Sequence, residues 1–298
     1  MYNYSNPKNR SINNMKTAAL LYGRNDGYKE DDRVIVCLES MLDSFDEVWF
    51  LDWNSPKDKN PLLWDLKDRL PKTGRLKHIV ISSEIASILT NNDSKVQACL
   101  QTLSTNIMLR RCNADWIVAT TIDIIAPKKE TLNNFLSLAD KSTFYTLSRR
   151  EAKMEDLENI GMENWKQFRD NLDTISEPRY FPAQVTPNDK YSLINCCGDF
   201  QLAHKDIWNT IKGFEEGMTY ACYQDTNVQK KSVLNGFNLQ AIFDVPLYHL
   251  SHKGMGNDGS SPSKQYYNDA LDWVEFFTKS ENEDDWGLAN TEIEYELI

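Results

Sequence analysis

The chain has 298 residues, 41% of them hydrophobic and 26% charged, the balance of an ordinary globular protein with enough apolar side chains for one large core. Its formal net charge of -11 and isoelectric point near 4.9 argue against a nucleic-acid or anionic-membrane partner, because an acidic surface repels both. The leader MYNYSNPKNRSINN is polar with no signal-like apolar core, and no apolar run approaches the length of a membrane span, so no transmembrane segment is expected. Cys37, Cys99, Cys112, Cys196, Cys197 and Cys222 form no CxxC pair and sit mostly in apolar runs, the pattern of free thiols in a reducing compartment. A cytoplasmic location is therefore expected.

In chain order, Thr17 to Tyr22 reads as a short strand that opens into the turn-rich loop Gly23-Arg24-Asn25-Asp26-Gly27-Tyr28, which is built to wrap a ligand. Asp31 and Asp32 then lead an i, i+3, i+4 apolar face through Val34, Ile35, Leu38, Met41 and Leu42, so a helix is predicted. Glu47 to Leu51 is the second strand and ends in Asp52-Trp53-Asn54-Ser55-Pro56, a carboxylate at a strand's carboxyl end with a turn behind it. Next come a short helix from Pro61 to Leu70, a strand from Leu76 to Ser82 and a longer helix from Val96 to Cys112. Trp116 to Thr121 is then a β-branched, apolar run of a buried strand. The alternation predicts an α/β fold with a mostly parallel sheet and helices on both of its faces.

A buried parallel strand delivers the residue beyond its carboxyl end into the crevice where open α/β sheets bind ligands, and here that residue is Asp123. The other reading of Asp123 is a turn residue before Pro127. Lys129 to Asp140 reads as a helix, Ser142 to Ser148 as a strand and Ala152 to Leu172 as a charged helix. Ser176 to Asp189 has three prolines and no period, so it is a long loop. Asn195 to His204 is strand-like around Gly198, Asp206 starts a short helix that Gly213 stops, and Asp225 opens another that Gly236 ends. Asn238 to Phe243 and Val245 to Leu250 are strands that deliver His249 and His252. A Gly/Ser/Asn-rich loop, an aromatic helix from Lys264 to Thr278 and the acidic tail from Glu281 close the chain. With no internal repeat and no linker, residues 1–298 read as one domain whose second half is irregular.

Three carboxylates at loop or helix starts, Asp52, Asp123 and Asp225, stand out beside the HxxH pair His249 and His252. Carboxylate oxygen with imidazole nitrogen suits Mn²⁺ or Mg²⁺ when substrate phosphate completes the shell. The alternatives are a helix N-cap for Asp225, edge-strand polar residues for the histidines and a solvated helix end for Arg110 and Arg111. No Ser-His-Asp order, Walker loop, Rossmann fingerprint or zinc spacing is present, so hydrolase and P-loop chemistries are weakly supported.

YGRNDGY, EVWFLDWNSP, ADWIVATTID, GDFQLAHKDIWNTIKGFEE, YQD and YHLSH, in this order from Thr17 to Lys253, resemble nucleotide-diphospho-sugar glycosyltransferases of the Rossmann-like GT-A fold. The family-two-like inverting enzymes are the nearest match. The resemblance implies transfer of a sugar, with a UDP-sugar favoured as donor, to a glycan or other hydroxyl acceptor. By the same resemblance residues 1–127 form the nucleotide-sugar half and residues 128–298 the acceptor-side half. Asp52 would contact the base, with Gly23, Arg24, Asn54 and Arg110 as further donor contacts and Gly198, Asp199 and Glu216 lining the substrate site. Asp123 matches the last Asp of the family's DXD metal motif, His252 or else His249 its late metal ligand, and Asp225 its catalytic base. Two positions depart from the family pattern: Thr121 replaces the first Asp of DXD, and Gln224 the Glu before the base. Those departures raise a catalytically weak nucleotide-sugar or carbohydrate-binding protein as an alternative. A sugar nucleotidyltransferase is a second, although GRNDGY lacks the Gly-rich basic loop such an enzyme needs.

Overall fold

The computed structural model describes residues 15–25, 31–93, 96, 98–175, 198–219, 224–251 and 282–298. Strands β1 (Thr17–Gly23), β2 (Glu47–Trp53), β3 (Leu76–Ile81) and β4 (Trp116–Thr120) form a parallel set in the order β3-β2-β1-β4. Helices α1 (Asp31–Ser44), α2 (Leu62–Leu66), α3 (Ser83–Leu89) and α4 (Gln101–Arg111) lie between them in sequence. Beyond β4 the sheet becomes mixed. It continues through antiparallel β7 (Phe200–His204), then β6 (Thr143–Lys153), then β8 (Asn238–Ser251), which runs parallel to β6, and last the two-residue β5 (Ile124–Ile125), antiparallel to β8. At the other edge β9 (Glu296–Leu297) pairs antiparallel with β3. Helices α5 (Lys129–Leu138), α6 (Met154–Ile160), α7 (Trp165–Ile175), α8 (Lys205–Thr210) and α9 (Gln224–Leu234) complete the described elements.

The strands of the parallel set are apolar on both sides because both sides are covered. Ala19, Leu21, Val48, Phe50, Trp116 and Val118 join the core under α1, α2 and α5, while Ala18, Leu20, Trp49, Leu51, Ile117 and Ala119 join the core under α4 and α8. This is the strand period of two, resolved into two packed layers. A third cluster, with Trp165, Phe168 and Leu172 of α7 against Ile125, Tyr248 and Leu250, covers the far end of the sheet. Each large side chain so buried contributes roughly 1.5–3 kcal/mol relative to exposure. No helix among the described residues is long and apolar enough to cross a membrane.

Several predicted boundaries change. The helix expected from Val96 begins at Gln101, and an additional short helix, α3, starts where the Ser82 hydroxyl accepts the Ile85 N–H at 3.4 Å, an N-cap not recognised in the sequence. Ala152 to Leu172 is not one helix. β6 runs on to Lys153, because ladder pairing with β8 holds Arg149 to Lys153 extended, and Gly161, at φ 88°, separates α6 from the short turn that leads into α7. The two strands expected from Asn238 are one, continuous through Asp244. The loop expected from Ser176 to Asp189 and the helix from Lys264 to Thr278 lie outside the described residues.

The acidic tail returns to the first half of the chain and packs there. Arg111 at the end of α4 donates to the carbonyls of Gly287 (2.7 Å), Leu288 (2.9 Å) and Thr291 (2.8 Å), and Trp286 is buried beneath the Arg110 guanidinium, 5.0 Å from its ring. The wholly buried Asn106 donates to the Phe214 carbonyl and to Glu216 and accepts from the Phe214 N–H, and Glu216 in turn accepts the Gly287 N–H at 2.7 Å. One amide thus ties α4, the 213–216 turn and the tail together. Trp286→Ala removes the apolar anchor of this assembly and should lower unfolding free energy by about 3–5 kcal/mol in denaturant titrations. A loss below about 1 kcal/mol would mean that the tail does not hold the fold.

Candidate functional site

The carboxyl ends of β1 and β2 lie side by side, with Gly23 in register with Asp52. A Cβ on Gly23 would come within 2.9 Å of the Phe50 ring, so the chain turns out of β1 there only without a side chain. The two loops are stitched together: the Asn25 N–H donates to the Ser55 hydroxyl at 2.7 Å and the Asn25 side-chain amide to Asp65 at 2.7 Å. Asp52 is wholly buried, accepting from the Ser55 hydroxyl at 2.6 Å and from the Leu62 N–H. Burial raises its pKa against the pull of those bonds and of the nearby Arg24 charge. Asp52 thus braces the loop after β2 from beneath through both carboxylate oxygens. Asn54 takes the left-handed φ of 58° in that loop and donates to the Ala98 carbonyl at 3.2 Å. A cavity of about 200 Å³ opens beside it, lined by Asp52, Ser55, Lys57, Lys59, Ser82 and Glu84 among others.

The second group forms where β5 meets β8. Ile124 is opposite His249, and the Leu250 N–H donates to the Asp123 carbonyl at 2.8 Å, so backbone pairing carries the Asp123 carboxylate to the imidazole. Asp123 Oδ2 lies 3.3 Å from His249 Nε2, the Thr121 hydroxyl donates to the other carboxylate oxygen, and His249 Nδ1 is 2.9 Å from Glu151. Burial alone would lower the His249 pKa. The hydrogen bond and charge of Asp123, then Glu151, outweigh it and leave the pKa raised. The ion pair therefore stabilises the protein fully below the ordinary value of about 6.5 and less as pH rises through the raised one.

Two ligand atoms at right angles around one small divalent ion, each about 2.1 Å from it, stand about 3 Å apart, so Asp123 and His249 fit one metal edge. Among the described residues no group of three His, Cys, Asp or Glu side chains is placed to hold a metal by itself. A metal here would take its remaining ligands from substrate and water. His252 lies outside the described residues.

The third group faces it. Asp199 pairs with Arg149, and its carbonyl accepts the Thr120 hydroxyl at 2.6 Å, which docks the start of β7 on the end of β4. Gly198 lies directly against Asp225, whose Cβ, Cγ and Oδ2 are the nearest atoms to any added Cβ, and Gln201 donates to the Asp225 carbonyl at 3.1 Å. Gln224 donates to the Met218 carbonyl at 3.0 Å, so the residue replacing the expected Glu secures the turn before α9. Tyr22 stands among these groups. Burial first, then the neighbouring Cys99 thiol and the charges of Asp123, Asp199 and Asp225, push its phenol pKa up. One phenol thus feels all three carboxylates.

Two expected site residues are elsewhere. α4 runs antiparallel to the strands it covers, so its carboxyl end lies at the amino end of β4, away from the crevice. Arg110 accordingly binds the tail, with its guanidinium over Trp286 and a bond to the Asp284 carbonyl at 3.2 Å. Glu216 is taken by Asn106 and Gly287, and burial raises its pKa. Sequence reasoning misses Glu151 and Arg149, because the segment after Ser148 reads as the approach to a helix. The alternation Arg149, Glu151 at strand spacing is the available signal.

No family model matches the sequence, and no curated protein matches it either. Solved structures do match in shape. S. aureus TarS residues 1–349 superposes with a TM-score of 0.53 at 14% identity, covering 92% of this chain and 68% of that one. A longer S. aureus TarS structure gives 0.52 at 13% identity, and there the match covers 92% of this chain but only 41% of the other. The mannosyltransferase PcManGT from Pyrobaculum calidifontis, solved in complex with GDP-Man and Mn2+, gives 0.54 at 12% identity over 93% of this chain and 69% of that one. The fold is shared with these proteins.

The Gly198–Asp225 contact is open to a double-mutant cycle. Gly198→Ala alone should cost about 1–3 kcal/mol by forcing the start of α9 away. In an Asp225→Gly background most of that cost should vanish, giving a coupling of about 1 kcal/mol or more. Costs that simply add would contradict the contact.

Proposed function

We propose that this protein is a glycosyltransferase that moves a sugar from a nucleoside diphosphate donor, with a UDP-sugar favoured, to a hydroxyl acceptor. The observation that carries the reading is the placing of Asp123 against His249 at the ends of β4, β5 and β8, across from Asp225 behind Gly198. The first group suits a metal-bound diphosphate and the second a proton acceptor. The shared fold with a mannosyltransferase solved with GDP-Man and Mn2+ supports the same reading.

On this reading Asp225 takes the proton from the acceptor hydroxyl as that oxygen attacks the anomeric carbon, and the bond to the diphosphate breaks on the opposite face, so the configuration inverts. Asp123 and His249 would hold Mn²⁺ or Mg²⁺, which when bound neutralises the departing diphosphate. In a chain with a net charge of -11 such a cation matters more than usual. The loops after β1 and β2, with Gly23, Arg24 and Asn54, hold the nucleotide, and Gly198 and Asp199 border the acceptor side. Residues 1–127 thus serve mainly the donor and residues 128–298 mainly the acceptor, apart from the tail and from His249 on the donor's metal.

Calorimetry should show UDP binding at least tenfold tighter with Mn²⁺ than with EDTA, and Asp123→Ala should abolish that difference. Equal affinities in the wild type would rule the metal-assisted reading out. With a confirmed donor and acceptor, Asp225→Asn should keep donor affinity and lose transfer by ~10²-fold or more, since Asn has nearly the same shape as Asp but takes no proton. Near-normal turnover would remove Asp225 as the base.

A further inference from the structure

We infer that Glu151 is a positioning residue that fixes which nitrogen of His249 faces Asp123, and that Arg149 anchors Glu151 and ties it to Asp199 across the crevice. The inference rests on the metal-assisted reading above for its consequence and on the geometry alone for its first step.

Glu151 and His249 are register partners in the parallel pair β6·β8, so the backbone sets them side by side. One Glu151 oxygen lies 2.9 Å from His249 Nδ1, and the other 3.1 Å from Arg149 Nε. Arg149 is two residues earlier on the same face of β6, and its terminal nitrogen pairs with Asp199. The Arg149 contact is an ion pair without hydrogen-bond geometry, so the imidazole bond and the guanidinium charge together orient the carboxylate. His249 Nε2 is meanwhile 3.3 Å from Asp123, on the opposite edge of the ring. The result is a continuous polar chain, Thr121–Asp123–His249–Glu151–Arg149–Asp199, across the ends of five strands.

An ionised carboxylate only accepts hydrogen bonds. Glu151 therefore calls for a proton on Nδ1. Asp123, 3.3 Å from Nε2, makes the same demand, and in the neutral ring the closer contact, 2.9 Å to Glu151, keeps the one proton on Nδ1. In the neutral ring the proton on Nδ1 leaves the Nε2 lone pair toward Asp123, where a divalent ion would lie. Without Glu151, a half-turn of the ring or a shift of the proton would offer the wrong nitrogen or a blocked one. A carboxylate behind a ligating imidazole also raises its basicity, and loss of such a partner typically weakens metal binding about 10- to 100-fold. Arg149 supplies balancing charge: of the carboxylates Asp123, Glu151 and Asp199 it touches two.

The test uses the full chain carrying Glu151→Ala or Glu151→Gln. Long-range ¹H–¹⁵N spectra of the metal-free protein, with the imidazole neutral and His249 identified by His249→Gln, report the tautomer. Electron paramagnetic resonance with UDP present reports Mn²⁺ affinity. The wild type should show the Nδ1–H form. Glu151→Gln, whose amide oxygen still accepts from Nδ1–H, should keep it and stay within about threefold in affinity, while Glu151→Ala should mix the tautomers and bind Mn²⁺ about 10- to 100-fold more weakly at similar melting temperature. An unchanged tautomer in Glu151→Ala, or a Mn²⁺ affinity within about twofold of a wild type that binds the ion, overturns the inference. If the wild type binds no Mn²⁺ but its tautomer still depends on Glu151, the positioning role stands and the metal reading fails.

Discussion

The crevice depends on two residues of backbone pairing, Ile124 with His249 and Ile125 with Tyr248. Asp123 leaves the crossover from β4 with no strand of its own, and only the capture of β5 by β8 turns that residue from a turn carboxylate into the neighbour of an imidazole. His249 is costly to bury, and the cost is offset because Asp123 and Glu151 flank opposite edges of its ring. Each of those carboxylates is secured in turn, by Thr121 on one side and Arg149 on the other. The ends of five strands converge on this network, in which Glu151 Oε1 meets Arg149 by charge and not by a hydrogen bond.

The rest of the molecule supplies rigidity away from the chemistry. The sheet is sealed on both faces by apolar layers, and Asn106 with the returning tail locks α4 to the turn before α9. Lys231 belongs to the same support: it is buried, donates to the Gly213 carbonyl at 2.9 Å and pairs with Glu215, while burial brings its pKa down to about 8. Asp225 lies in the first turn of the helix that carries this lysine. A carboxylate on so firmly held a helix start keeps its position relative to the opposite wall, as a reaction needing close alignment demands.

Much of the parallel half is legible in the sequence. Apolar runs with carboxylates or turn residues at their ends mark β1, β2, β3 and β4, and the spacing of Val34 to Leu42 marks α1, because burial on both faces leaves so strong a pattern. Asp123 and the late histidines can be picked out as strand-end residues. That His249 meets Asp123 comes only from the family resemblance, as the second choice after His252, since the pairing rests on a two-residue strand too short to have a periodic signature. Arg110 and Glu216 are misplaced for a related reason: residue type marks both as ligand contacts, yet helix direction sends Arg110 to the amino end of β4 and the tail claims both. The tail reads only as acidic, although Trp286 is buried where it docks and Arg111 and Glu216 bind its backbone. Glu151 is hidden by charges that look helical and prove to be strand residues paired with β8.

The most direct test of the account is pulsed electron paramagnetic resonance on Mn²⁺ bound together with UDP. The account predicts modulation from a directly coordinated imidazole nitrogen, present in the wild type, lost in His249→Gln and absent without nucleotide at low metal concentration. Mn²⁺ that binds with nucleotide but shows only water and phosphate couplings, unchanged by His249→Gln, would contradict it.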